Sequence, residues 1–342
     1  MDGMIPPSHF VELEHLLAII EKLGVLARVE VVEHIDYQGQ LFPIHCLSLG
    51  TQKPDAPVIA YFGGVHGLEK IGTEVLLAYL QTIVELMTWD EEFAARLDKV
   101  RLVFMPIVNP VGVFRGTRCN GNGVDLMRNA PIDGVGKIKL YSGHHISPHL
   151  PWYRGDQLLM EKEARALCRV MRDQFASSPL VIAVDLHSGF GIHDRVWFPY
   201  ASCKKPFDSL PEAYALKQLF DRCYPHHFYK IEPMSQEYVI SGDLWDYLYD
   251  EFRRQGKSEA LFMPLTLEMG SWLWLRKNPT HLFLRHGLFH PVLPHRQQRI
   301  LRRHLILFDF LFRAALFPKS WAHLNTEDRE SKRQQAMAFW YE

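Results

Sequence analysis

The sequence predicts an α/β fold with helices on both faces of a central sheet, an α/β/α sandwich. Two observations lead there. Apolar runs of strand length, suited to strands buried on both faces, occur at residues 57–62, 180–186 and 261–267. Between them lie longer segments with apolar residues at helical spacing, so strand and helix alternate along the chain.

Taken in order, residues 10–23 have helical periodicity and stop at Gly24, a glycine stop signal. Residues 27–32 and 41–49 read as strands around Tyr37-Gln38-Gly39-Gln40, a hairpin signal. The run at 57–62 is broken by Gly63-Gly64, and 71–87 reads as a helix. A strand is expected at 100–108, and 109–155 reads mostly as loop, rich in Gly, Pro and Asn. A loop that long inside a compact domain usually carries function. Helices are expected at 156–175, 212–223 and 242–254, and strands at 180–186 and 261–267. Residues 294–312 read as one helix, with Arg296, Arg299 and Arg303 along a solvated face.

Four segments carry chemistry: Gly64-Val65-His66-Gly67-Leu68-Glu69, Gly123-Val124-Asp125-Leu126-Met127-Arg128-Asn129, Val184-Asp185-Leu186-His187-Ser188-Gly189 and Leu265-Thr266-Leu267-Glu268-Met269-Gly270. His66 and Glu69 fall on the turn after one strand, where open α/β sheets place their ligands. His187 ends a second strand and Glu268 closes a third. Three strand ends at one sheet edge would gather two imidazoles and two carboxylates. Catalytic zinc takes three such ligands and keeps a fourth position open. The other histidine groups (His144, His145 and His149; His226 and His227; His281, His286, His290 and His295) lack a carboxylate at a spacing that marks a site. Neither a Gly-x-Ser-x-Gly elbow nor a phosphate-binding loop occurs.

In combination these segments, with Asn109-Pro110-Val111-Gly112 and the run from Thr117-Arg118 to Asp125, resemble the zinc carboxypeptidases of the carboxypeptidase A family. The resemblance covers residues 57–270. It implies a mixed central sheet and one zinc ion per chain, held by His66, Glu69 and His187. It implies Glu268 as the general base that passes its proton to the leaving amine. It gives Arg118 to the scissile carbonyl, Arg128 to the substrate carboxylate, and Asp125 to the orientation of a ligand histidine. Tyr238, in Tyr238-Val239-Ile240-Ser241-Gly242, aligns with the mobile tyrosine that closes over substrate. That alignment puts Trp245 at the base of the side-chain pocket.

One departure bears on the substrate. The family pattern has asparagine before the carboxylate-binding arginine, and this chain has Met127, whose thioether is no donor to an anion. Arg128 keeps an acidic substrate end in view. The expected substrate is therefore a peptide with a free C-terminus. The alternative is an acyl-amino acid or cell-wall peptide cleaved by a zinc amidohydrolase of the same fold. A non-catalytic binding protein on this scaffold is a third reading, against which the intact His66, Glu69, His187, Arg118 and Glu268 argue.

Composition narrows the class. The 342 residues are 47% hydrophobic with a formal net charge of −1, which argues against nucleic-acid or membrane-surface partners. No low-complexity linker divides the chain, so a single domain over 1–342 is expected. Five cysteines without a CxxC pair suit reduced thiols. The first residues lack a basic region followed by an apolar stretch, and a cytoplasmic location is the expectation.

Overall fold

Two adjacent rings show how the sheet is layered. Tyr61 and Phe62 are consecutive in a strand and so point to opposite faces. In the computed structural model, which describes residues 9–135, 142–256, 260–272, 289–291 and 293–342, Tyr61 meets Tyr79 and Phe308 on one side. Phe62 meets Trp245 on the other, at a ring separation of 5.1 Å.

The strands are β1 (Ala27–Tyr37), β2 (Gln40–Gly50), β3 (Val58–Gly63), β4 (Arg101–Met105), β5 (Leu180–Ser188), β6 (Arg195–Phe198), β7 (Lys230–Pro233) and β8 (Leu261–Met269). They form one sheet in the order β1-β2-β4-β3-β5-β8-β6-β7. β4, β3, β5 and β8 run parallel, β2 is antiparallel to β4, and β6 is antiparallel to β8. The sheet is thus mixed, and its centre is fully buried, as the unbroken apolar runs require. The hairpin turns at Gln38-Gly39, both at positive φ, the backbone of a tight two-residue hairpin.

The helices are α1 (Val11–Leu23), α2 (Lys70–Leu86), α3 (Glu91–Leu97), α4 (Pro110–Arg115), α5 (Lys162–Ser177), α6 (Leu210–Cys223), α7 (Leu244–Arg254), α8 (Pro294–Arg303), α9 (Leu305–Leu316) and α10 (Thr326–Trp340). Tyr79 belongs to α2 and Phe308 to α9, so these cover one face. α5 and α7 cover the other, where Phe175 and Phe252 both close on Phe262 of β8. The result is the α/β/α sandwich. Among the described residues no single helix is long and apolar enough to cross a membrane.

Several expected boundaries move. The helix expected from 156 starts only at Lys162, because 156–161 form the turn whose Glu161 backbone N–H is held by Asn129 at 2.6 Å. The expected 294–312 helix is broken at His304, where the buried ring is held at 2.8 Å by the Tyr229 hydroxyl. Arg303 is not simply solvated: it pairs with Asp194 at 3.2 Å and lies over the Phe228 ring. The long loop contains α4 and a single helical turn, Leu126–Arg128. His281 and His286 lie outside the described residues.

Candidate active site

The parallel register builds the site. Gly63 of β3 lies beside Leu186 of β5, and His187 lies beside Glu268 of β8. Neighbours in register project to the same face, so His187 and Glu268 share one side of the sheet edge. The loop after β3 delivers His66 and Glu69, and Glu69 is the residue before α2. That loop is locked from beneath. Buried Asn109 donates from Nδ2 to the Val65 carbonyl and accepts the Gly112 N–H. At Gly67 any side chain would collide with the backbone of Gly112, 1.9 Å from the Cβ position. This gives the Asn-Pro-x-Gly segment a physical purpose.

Three ligand atoms converge. His66 Nδ1 is 2.9 Å from Glu69 Oε1, His187 Nδ1 is 3.0 Å from Glu69 Oε2, and the two Nδ1 atoms are 3.1 Å apart. All three side chains are buried, and their ligand atoms lie within 4.8 Å of one another. Each outer ring nitrogen is held by a carboxylate: His66 Nε2 by Asp125 at 3.0 Å and His187 Nε2 by Asp185 at 2.8 Å. Those bonds leave Nδ1 as the inward lone pair. Two imidazole lone pairs and a carboxylate facing one point, each imidazole backed by a carboxylate, is a donor set that fits zinc.

The electrostatics agree. Burial opposes ionisation of Glu69, but the charges and hydrogen bonds of His66 and His187 outweigh it and hold the carboxyl well below its usual range. Burial opposes protonation of His187, but Asp185 and Glu69 outweigh it and raise its proton affinity. A cation entering the site displaces such a proton. Glu268 behaves oppositely. Burial, then the charge of Glu69, pushes it up to about 8, and the Phe190 N–H donates to its Oε1 at 2.9 Å.

Both arginines converge on Asp125. Arg118 donates from Nε at 2.9 Å and Arg128 from Nη1 at 2.7 Å to the same Oδ2. Burial alone would raise the Asp125 carboxyl, but Arg118, then Arg128 and His66, hold it well below its usual range. Arg118 also reaches Glu69 at 3.3 Å. Gly242, at φ +81°, lets the chain pass against the Arg128 carbonyl, where a Cβ would sit 1.8 Å away.

His66, Glu69, His187, Glu268 and the two arginines line a cavity of about 590 Å³ that also takes in Met127, Trp152, Phe190, Trp197, Met234, Tyr238 and Phe289. Tyr238 stands on this wall, packed against Phe190 and edge-on to Trp197. Trp245 does not. The expectation that it floors the side-chain pocket is corrected: its indole turns into the core and donates to Asp185 Oδ2 at 2.9 Å. Trp197 and Met234, unlike Trp245, are among the residues that line the cavity. Asp185 was not anticipated, although it precedes His187 by two residues on a strand and so shares its face.

A family model described as zinc carboxypeptidase, peptidase family M14, matches residues 37–272, and the chain belongs to this family. Curated relatives include the carboxypeptidase N catalytic chain of Rattus norvegicus, 28% identical over 155 residues, covering 41% of this chain and 33% of the relative. Carboxypeptidase SOL1 of Arabidopsis thaliana is 25% identical over 239 residues, 68% of this chain and 44% of that one. The chain therefore spans between a third and under half of the length of these relatives. Among solved structures, carboxypeptidase A from Helicoverpa armigera superposes with a TM-score of 0.65 at 18% identity, over 92% of this chain and 74% of that chain. Bovine thrombin-activatable fibrinolysis inhibitor, solved with tick carboxypeptidase inhibitor, gives 0.64 at 16%, over 90% and 95%. These two likenesses establish the fold.

Proposed function

We propose that this chain is a zinc-dependent carboxypeptidase that removes the last residue of a peptide with a free C-terminus. The observation that carries the reading is the meeting of His66, Glu69 and His187 with Glu268 and two arginines on one cavity wall. When bound, zinc supplies a Lewis acid and a water acidified toward ~7.

The chain's own residues supply the rest. Glu268, fixed at Oε1 by the Phe190 N–H, takes the proton of the attacking water on its other oxygen and returns it to the leaving amine nitrogen. Arg118, held by Asp125 through Nε, is aimed from the side of Glu69 and carries charge to the developing oxyanion. Arg128 presents its remaining donors to the substrate carboxylate, where a guanidinium binds in a bidentate fashion. Asp125 fixes both arginines and His66 at once, so one buried carboxylate sets the spacing between the metal site and carboxylate recognition. Among the described residues, Phe190, Trp197, Met234 and Ile240 give part of the cavity an apolar lining, apart from the carboxylates Glu69 and Glu268, so a large apolar terminal side chain fits there.

One observation favours a second reading. Met127 puts an apolar group beside Arg128 on the cavity wall, which suits the amidohydrolase that acts on an acylated amino acid or cell-wall peptide. Kinetics on matched substrates separate the two. A blocked dipeptide ending in phenylalanine should be cleaved as the free acid, and its C-terminal amide should react at least ~10-fold more slowly, since a lost bond to a charged group is worth ~1.5–3 kcal/mol. Equal rates on acid and amide would reject the carboxypeptidase reading.

A further inference from the structure

We infer that Trp245 is a positioning residue for the metal ligand His187 and that it acts through Asp185; this rests on the metal-site reading above. Phe62, Asp185 and Thr266 stand side by side in register across β3, β5 and β8, so Asp185 projects to the face covered by α7. His187, two residues on, projects the same way. Asp185 is fully buried. Its Oδ2 receives two donors, His187 Nε2 at 2.8 Å and Trp245 Nε1 at 2.9 Å, while Oδ1 has no hydrogen-bond partner among the described residues. The carboxylate thus depends on two N–H groups, one belonging to a metal ligand and the other to an indole.

Trp245 is held through both its backbone and its ring. Asp243 caps α7 and accepts the backbone N–H groups of Trp245 and Asp246 at 2.9 and 2.8 Å. The ring itself rests on Phe62. A rigid donor on Oδ2 fixes where that oxygen stands, and the oxygen fixes the plane of His187 and keeps its proton on Nε2. The inward Nδ1 lone pair is then presented to Glu69 and His66 without a rotational search. Asp125 plays the corresponding part for His66, with Arg118 and Arg128 in place of the indole. The two histidines therefore have different outer partners: charged and facing the cavity for His66, neutral and in the core for His187. Groups that orient metal ligands in this way typically change metal affinity by ~10–100-fold when altered.

Zinc affinities measured by chelator competition on the full chain test this, with the melting temperature of the metal-free form measured alongside. The decisive change replaces Trp245 by its sulfur isostere benzothienylalanine, which keeps the ring shape and lacks the N–H. The expected result is roughly tenfold weaker zinc binding with an unchanged metal-free melting temperature. Trp245→Phe should weaken zinc by a similar factor while also lowering the melting temperature, because it leaves a void. In an Asp185→Asn background the isostere should cause no further loss. Wild-type zinc affinity in the isostere protein overturns the inference, as does an undiminished loss in the Asp185→Asn background. If Asp185→Asn does not fold, the isostere comparison decides alone. A wild-type chain that binds no zinc overturns the metal-site reading itself, which the first measurement reveals separately.

Discussion

Met127→Asn asks what this site was shaped to hold. Met127 borders the cavity beside Arg128 and is only 6% exposed, so an asparagine there places an amide donor within a protected pocket. If a C-terminal carboxylate docks on Arg128, the new bond to a charged group is worth ~1.5–3 kcal/mol. At ~1.4 kcal/mol per decade that is a ten- to hundredfold gain in kcat/KM. The opposing term is stability, since removing buried methionine surface costs about 2 kcal/mol. That cost lowers the melting temperature but leaves the distances among His66, Glu69, His187 and Glu268 untouched. The two effects are read separately, by steady-state kinetics on a blocked dipeptide and by thermal unfolding. The gain should appear on the free acid and be absent from the C-terminal amide. A loss on the acid, or equal effects on acid and amide, would refute carboxylate anchoring at Arg128 and turn the account toward the amidohydrolase.

Other outcomes follow from the same geometry. Glu268→Gln should keep its zinc and lose at least ~100-fold in kcat, the scale of a general acid–base group, measured by metal analysis and single-substrate kinetics. In the wild type, activity should rise with pH as Glu268 ionises, at or below the value of about 8 that burial and Glu69 impose, because a bound cation favours the carboxylate; Glu268→Gln should lose that acid limb. Glu163 is buried beside Asn120, and burial is the main cause that raises its carboxyl to about 7. A folded pKa above the unfolded one contributes stability below the unfolded value, and that contribution is lost as pH rises through the folded one. Glu163→Gln should therefore gain on wild type by roughly 2–3 kcal/mol between pH 5 and 8, read from urea unfolding at both values; a constant gap would show that Glu163 ionises freely.

The central strands were legible because a fully apolar run bounded by glycines has few other readings, and their ends located all three candidate ligands and Glu268. β6 and β7 were not, since four residues are too few to display a period. α10 escaped for a different reason: it is polar along most of its length and buries chiefly Ala336 and Trp340, so its stripe is faint. The break at His304 comes from a tertiary bond to Tyr229, which no local propensity encodes. Within the site, Asp185 was within reach of the sequence through the two-residue spacing from His187, whereas Trp245 was not. Alignment on Ser241-Gly242 suggested a pocket floor, and only the packing of α7 against β3 shows that its indole serves Asp185 instead. The aromatic wall of Phe190, Trp197 and Tyr238 draws on three separate segments, and no sequence window contains it.

The central claim is that His66, Glu69 and His187 form a zinc centre. Elemental analysis of purified chain, equilibrated with zinc and then dialysed, tests it most directly. The account predicts about one zinc per chain in the wild type, and none retained in His66→Ala or His187→Ala while circular dichroism shows the fold intact. Full zinc occupancy in both variants, or a wild-type chain that holds no zinc, would contradict it.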